Sequence, residues 1–122
     1  MNISIEAQGF ELSSAIDAFV TEEIRLSLLR FSEEIVSIDV FMKDINGPKG
    51  GIDKQVLLRV QMRGRQQITL QTARENLYAA IRISAKRAKR AVRRSVRKSR
   101  RFEKLSVSRL LVDSLVQQGP ER

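Results

Sequence analysis

One stretch restricts this chain more than any other. From Arg82 to Arg101 there are 11 Lys and Arg in 20 positions and no Asp or Glu. No Gly or Pro lies between Gly64 and Gly119, so nothing there forbids a helix, and Ala, Arg and Lys favour one. Spaced at about 100° per residue, Arg82, Lys86, Arg87, Lys89, Arg90, Arg93, Arg94, Arg97, Lys98, Arg100 and Arg101 take up roughly half the circumference. Leu77, Ile81, Ala85, Ala88, Val92 and Val96, with Ser84, Ala91, Ser95, Ser99 and Phe102, take up the other half, and Ile83 intrudes on the basic side. The pattern predicts one helix over 73–102, roughly 40 Å long, docked on a core by its apolar stripe. Like charges at i,i+3 and i,i+4 repel and weaken a helix. A chain that keeps so many of them offers an unbroken cationic face to a polyanion.

The charge is an address on that one segment. Residues 1–73 carry 8 Lys+Arg against 10 Asp+Glu, residues 74–102 carry 12 against 1, and residues 103–122 carry 3 against 3. A near-neutral body with one basic helix is the electrostatic footprint expected of a nucleic-acid binder. At 122 residues the chain reads as one domain, 1–102, with a tail, 103–122. It has no Cys and no His, which removes thiolate metal sites, disulfides and the commonest general base. No apolar run approaches the ~20 residues of a membrane span, and the first ten residues lack the pattern of a signal peptide. The expectation is a cytoplasmic protein with no cofactor, no membrane partner and no small-molecule substrate.

In chain order, Ile3, Ile5 and Ala7 alternate with Ser4, Glu6 and Gln8, as in a half-buried strand. After Gly9, Ser13 or Ser14 can cap a helix over roughly 14–31 whose inward face is Ile16, Phe19, Val20, Ile24, Leu28 and Phe31. Val36, Ile38, Val40 and Met42 mark a second strand, and Val56, Leu58, Val60 and Met62 a third. The breaker cluster Asn46 to Gly51 separates them as a loop. Gly64-Arg65 suits a hairpin turn into a fourth strand bearing Ile68, Leu70 and Thr72. The order β-α-β-β-β-α predicts a two-layer α+β fold, a four-stranded sheet with two helices packed on one face. The three later strands form an antiparallel meander, and the first can pair in parallel. In the tail, Val107, Leu110, Leu111, Leu115 and Val116 form an apolar helical stripe. Docking on the domain, continuing the long helix and ordering on a partner all remain open for it.

These residues resemble the ribosome hibernation-promoting factor family, which includes ribosome-associated inhibitor A. The likeness runs from Met1 to about Lys98. Leu12-Ser13-Ser14-Ala15-Ile16 followed by Phe19-Val20 is similar to the family's first helix, and Ser37 to Val40 to its second strand. Asn76-Leu77-Tyr78-Ala79-Ala80-Ile81 is similar to its D-x-Y-A-A-I-D motif, with Asn76 and Arg82 at the places of the two acids. A Gln usual in mid-helix is Ala91, and the tail does not resemble the dimerisation domain of long members. The resemblance implies a short form, monomeric when free, that acts in stress and stationary phase. It implies binding to 16S rRNA of the small ribosomal subunit, in the mRNA and tRNA channel, so that translation is inhibited and idle ribosomes hibernate. The family's rRNA contacts map onto Arg87, Arg90, Arg94 and Lys98. Arg82, Lys86, Lys89, Arg93, Arg97, Arg100 and Arg101 join them on the charge argument alone. Whether ribosomes are dimerised or held as monomers is left open.

Two other functions fit parts of the pattern. One is a general RNA- or DNA-binding module, which binds isolated duplexes as well as ribosomes. The other is a regulator that sets its basic helix on an acidic protein. An enzyme is not expected. Asp39, Asp44 and Asp53 read as scattered carboxylates rather than a metal-dependent nuclease cluster, and Gly47 to Gly51 lacks the context of a phosphate-cradling loop. Tyr78 reads as packing at the head of the basic helix, and Phe10, Phe19, Phe31 and Phe102 as core. Phe41 falls on the polar face of its strand, where a packed edge is favoured and stacking stays open. Lys49 and Lys54 belong either to an RNA contact or to a surface loop. Arg59, Arg63 and Arg65 are candidate extensions of the basic patch.

Overall fold

The computed structural model describes residues 1–45, 53–64 and 67–117, with side chains through residue 101. The elements run β1 (Asn2–Gln8), α1 (Ser14–Leu28), a 3₁₀ segment (Leu29–Glu34), β2 (Ile35–Asp44), β3 (Lys54–Met62), β4 (Ile68–Arg74) and α2 (Leu77–Gln117). The predicted β-α-β-β-β-α order and α+β class are the observed ones. The breaker cluster 46–51 and Arg65 lie outside the described residues. The chain falls into two compact units, Met1–Val92 and Arg93–Arg122. The first holds the sheet, α1 and the start of α2; the second is helical through Gln117.

The sheet order is β1-β2-β3-β4, with β1 parallel to β2 and the other neighbours antiparallel. Period-two patterning sorts its faces. Ile38, Val40 and Met42 of β2, Val56, Leu58, Val60 and Met62 of β3 and Thr72 of β4 are buried. They pack with Val20, Ile24 and Leu28 of α1 and with Ala80, Ile81, Ser84, Ala85, Ala88 and Val92 of α2. The helical set recurs at i, i+3, i+4, the signature of a helix laid on a core by one stripe. The opposite face of the sheet shows Glu6, Gln8, Lys43, Thr69 and Gln71 to solvent.

Three details depart from the sequence expectation, each for a physical reason. The first helix stops at Leu28 rather than near 31 and tightens into the 3₁₀ segment. The chain kinks at Phe31, whose φ of −107° and ψ of 16° leave helical geometry, and Leu28 and Phe31 both reach the core. In β2 the inward residue at the start is Ile35, 1% exposed, while Val36 is 45% exposed. A register shift between Ile35 and Ser37 accounts for this: one extra residue flips the alternation behind it. Finally, Ala73 and Arg74 stay in the ladder opposite Gln55 and Lys54, so the second helix begins at Leu77 instead of 73. Asn76 caps it, its Oδ1 accepting from Ala79 N at 3.1 Å.

The turn after β1 depends on its glycine. Gly9 has φ +88°, and a Cβ there would stand 2.7 Å from the Asp44 carbonyl oxygen. Ser13 caps α1, its Oγ accepting from Ile16 N at 3.1 Å.

Candidate nucleic-acid interface

Every cation in the predicted set lies on α2. In the first unit Arg82, Lys86, Arg87 and Arg90 are exposed and Lys89 is half-buried. In the second, Arg94, Arg97, Lys98, Arg100 and Arg101 are exposed and Arg93 is half-buried. Arg82, Lys86, Lys89, Arg90, Arg94 and Arg97 have no carboxylate partner among the described residues. Their positive charge is therefore uncompensated at the surface, the state in which a polyanion gains most from approaching.

Arg87 and Arg82 also have partners within the fold. Arg87 donates from Nη1 to the Gln71 carbonyl at 2.7 Å and to Thr72 Oγ1 at 2.9 Å, so its guanidinium ties α2 to β4. Thr72 is 2% exposed; its hydroxyl needs a partner there, and Arg87 is that partner. A polar Thr at the inward place of β4 was the one sequence signal for this contact. Arg82 sits over the Phe19 ring at 5.8 Å, and Phe19 meets Tyr78 edge-on at 4.8 Å with 74° between planes. Tyr78 thus packs at the head of the helix, as expected, and still leaves 39% of its surface exposed. Asn76 and Arg82, at the two acid places of the resembled motif, act here as a helix cap and as a cation over an aromatic ring.

The other candidates separate from this face. Lys54 lies in β3 and bridges Asp44 Oδ2 at 3.0 Å and Asp53 Oδ2 at 3.2 Å. Its hydrogen bond to Asp44, followed by that to Asp53, raises its pKa above the ordinary lysine value, against a lowering by burial. It is thus the shared counter-ion of Asp44 and Asp53, with its side chain still 23% exposed. Asp39 stands apart from that pair, in register with Arg59 on the open face of the sheet. The guanidinium of Arg59 lies 5.6 Å from the centre of the Phe41 ring, so Arg59 belongs to that open face too. Arg63 is an exposed turn residue whose N–H donates to the Glu34 carbonyl at 2.8 Å. Phe31 is buried, Phe10 and Phe19 are half-buried, and Lys49 and the Phe102 side chain lie outside the described residues.

The family described as Sigma 54 modulation protein / S30EA ribosomal protein matches residues 3–100. The chain belongs to that family. This is the ribosome hibernation-factor family that the strand, turn and helix motifs resemble. No curated protein matches the chain. Among solved structures, the Thermus thermophilus Protein Y N-terminal domain is similar at TM-score 0.64 and 21% identity, over 77% of this chain and 98% of that one. A ribosomal subunit interface protein from Coxiella burnetii is similar at TM-score 0.63 and 17% identity, over 78% of this chain and 97% of that one. At these identities the two structures bear on the fold alone. No helix among the described residues is long and apolar enough to cross a membrane.

Proposed function

We propose that this S30EA-family chain is a non-enzymatic, cytoplasmic translation inhibitor that binds 16S rRNA of the small ribosomal subunit. It occupies the mRNA and tRNA channel and promotes hibernation of idle ribosomes in stress and stationary phase, as a monomer when free. The observation that carries the reading is uncompensated charge on α2: Arg82, Lys86, Lys89 and Arg90 in the first unit, and Arg94 and Arg97 in the second, lack a carboxylate partner among the described residues. Family membership supplies the ribosomal direction; one of the similar structures is itself a ribosomal subunit interface protein.

The chemistry suits folded RNA. Arg offers a planar fork to phosphate oxygens and Lys a point charge. A helix in A-form RNA shows two phosphate ridges across a shallow minor groove, so a rigid basic helix reads shape more than sequence. Arg82, Lys86, Lys89 and Arg90 in the first unit carry this role, with Arg93, Arg94, Arg97, Lys98, Arg100 and Arg101 in the second. Arg87 joins them only with the donors it does not give to β4.

The test is co-sedimentation with purified small subunits at several salt concentrations, with an unrelated RNA duplex as competitor. The variant is Lys86→Glu/Arg90→Glu, which reverses two exposed charges and spares Arg87. Wild-type binding that survives excess duplex and is lost in the variant supports the proposal. Displacement by duplex at equal phosphate concentration refutes the ribosomal reading and leaves a general nucleic-acid binder. Binding that withstands nuclease points instead to an acidic protein partner.

A further inference from the structure

The open face of the sheet holds a groove that the basic helix does not explain. It has a volume of about 350 Å³ and is lined by Glu6, Ala7, Gln8, Phe41, Met42, Lys43, Gln55, Leu57 and Gln71. Register places two rows side by side: Glu6, Phe41, Leu57 and Gln71 across all four strands, then Gln8, Lys43 and Gln55. Strand spacing makes the first row about 14 Å long, and the second lies about 7 Å from it. The floor is the half-buried pair Phe41 and Leu57, directly opposite each other on β2 and β3. Around them stand three primary amides, one carboxylate and one ammonium. Arg59 lies over the Phe41 ring and holds it from the neighbouring row.

That lining selects among occupants. A peptide strand adds to a sheet at an edge, where backbone groups are unpaired; this groove crosses the sheet, where β2 and β3 are paired on both sides. An amphipathic helix needs a run of apolar anchors along a groove, and the floor has two apolar side chains. A duplex needs many cations, and Glu6 cancels Lys43. What remains is a small planar group with polar edges and one negative charge. An aromatic and aliphatic floor stacks a base through its π-face. Gln side chains pair with base edges in two-point hydrogen bonds, and Lys43 is placed to meet one phosphate. The volume sits at the small end of ligand sites, near 300 Å³.

From this geometry we infer that the open-face groove binds one unstacked nucleotide of single-stranded RNA, with the base on Phe41 and Leu57, its edge read by Gln55 and Gln71, and its phosphate beside Lys43. The inference rests on the RNA-binding reading of the chain and adds to it a second surface, one that recognises a base where α2 recognises charge. A duplex cannot use it, because a stacked base does not present its face.

The full chain, labelled with ¹⁵N, is titrated with AMP, GMP, CMP and UMP and, separately, with a blocked tripeptide. The expected result is base-dependent shifts of the Gln55 and Gln71 side-chain amides and of the Phe41 and Leu57 backbone. Phe41→Ser should weaken them about tenfold. Gln71→Leu, an exposed change that leaves the floor intact, should alter the order of preference among the four bases and keeps the test decisive should Phe41→Ser fail to fold. Shifts confined to α2, shifts equal for all four nucleotides and insensitive to both variants, or a groove response to the tripeptide alone would each overturn the inference. No response at millimolar nucleotide does the same. Because no ribosome is present, failure here leaves the co-sedimentation result standing, and failure there leaves this one.

Discussion

Arg87 is where the charge pattern and the fold make opposite demands, and its removal is the most informative perturbation. Arg87→Met keeps the length of the side chain and deletes the guanidinium. Two hydrogen bonds go, at 2.7 Å to the Gln71 carbonyl and 2.9 Å to Thr72 Oγ1. Gln71 is exposed, so water takes its carbonyl at little loss. Thr72 is 2% exposed, so its hydroxyl is stranded, at about 1–3 kcal/mol. Relief of like-charge repulsion on α2 returns about 0.2–0.5 kcal/mol. The net loss is about 1.5 kcal/mol, or a fall in Tm of roughly 6–12 °C for a unit of this size. Arg90→Met, on the same helix with no partner among the described residues, should leave Tm within about 2 °C, in line with surface substitutions. Thermal unfolding by circular dichroism compares them, and Thr72→Val closes the cycle. In that background Arg87→Met should lose at least about 0.5 kcal/mol of its effect, the coupling expected of touching residues. Equal Tm values for the Arg87 and Arg90 variants would refute the clamp and return Arg87 to the set of cations without a structural role.

Three further outcomes follow from particular burials. Ile35→Ala should destabilise by about 2–5 kcal/mol, whereas Val36→Thr, on the exposed side of the bulge, should change stability by less than about 0.5 kcal/mol; urea unfolding of the pair checks the register shift. Ser84 is 1% exposed and its hydroxyl has no hydrogen-bond partner among the described residues, so Ser84→Ala should stabilise by about 1 kcal/mol through the relieved desolvation and the better helix propensity of Ala, read as a higher urea midpoint at unchanged slope. The pKa of Lys54 is raised on folding by Asp44 and Asp53, so the stability its ion pairs contribute is complete below the unfolded value near 10.5 and is lost as pH rises through the raised folded value; a Lys54→Met chain should be less stable at neutral pH and show a flatter alkaline limb in a Tm-against-pH series.

The parts of the fold that the sequence displays are those in which one physical rule acts alone. Alternation sorts the faces of β4 because Ile68 and Leu70 each stand between polar residues, and in β3 Val60 and Met62, flanked by Arg59 and Gln61, fix the phase that sets Leu57 on the face opposite Val56 and Leu58. It misplaces Val36 because Ile35 and Val36 are both apolar and β-branched, so a bulge that exchanges them leaves no mark in the pattern. The 3₁₀ turn at Leu29–Glu34 is equally silent, since Leu28 and Phe31 suit the inward face of an α-helix as well as a 3₁₀ one. The start of α2 is set by a competition between ladder pairing of Ala73 and Arg74 and the Asn76 cap, and composition does not weigh the two.

The same distinction separates the two surfaces. Cations on one helix face recur every three or four residues, so a nearby stretch of sequence reveals them, and counting charge is enough to find the face. It is not enough to rank them, since Arg87 and Arg90 look alike until Thr72 is seen to be buried beneath one of them. The sheet groove gathers residues from positions 6 to 71 with balancing charges, so no window of the sequence contains it and no composition signals it. Its one trace is Phe41 on a polar strand face, and that trace acquires meaning only when the β2–β3 register sets Leu57 opposite. A basic helix binds whatever carries enough phosphate. Discrimination among bases needs groups that meet a base face and edge, and the groove lined by Phe41, Leu57, Gln55 and Gln71 is where the proposal puts them.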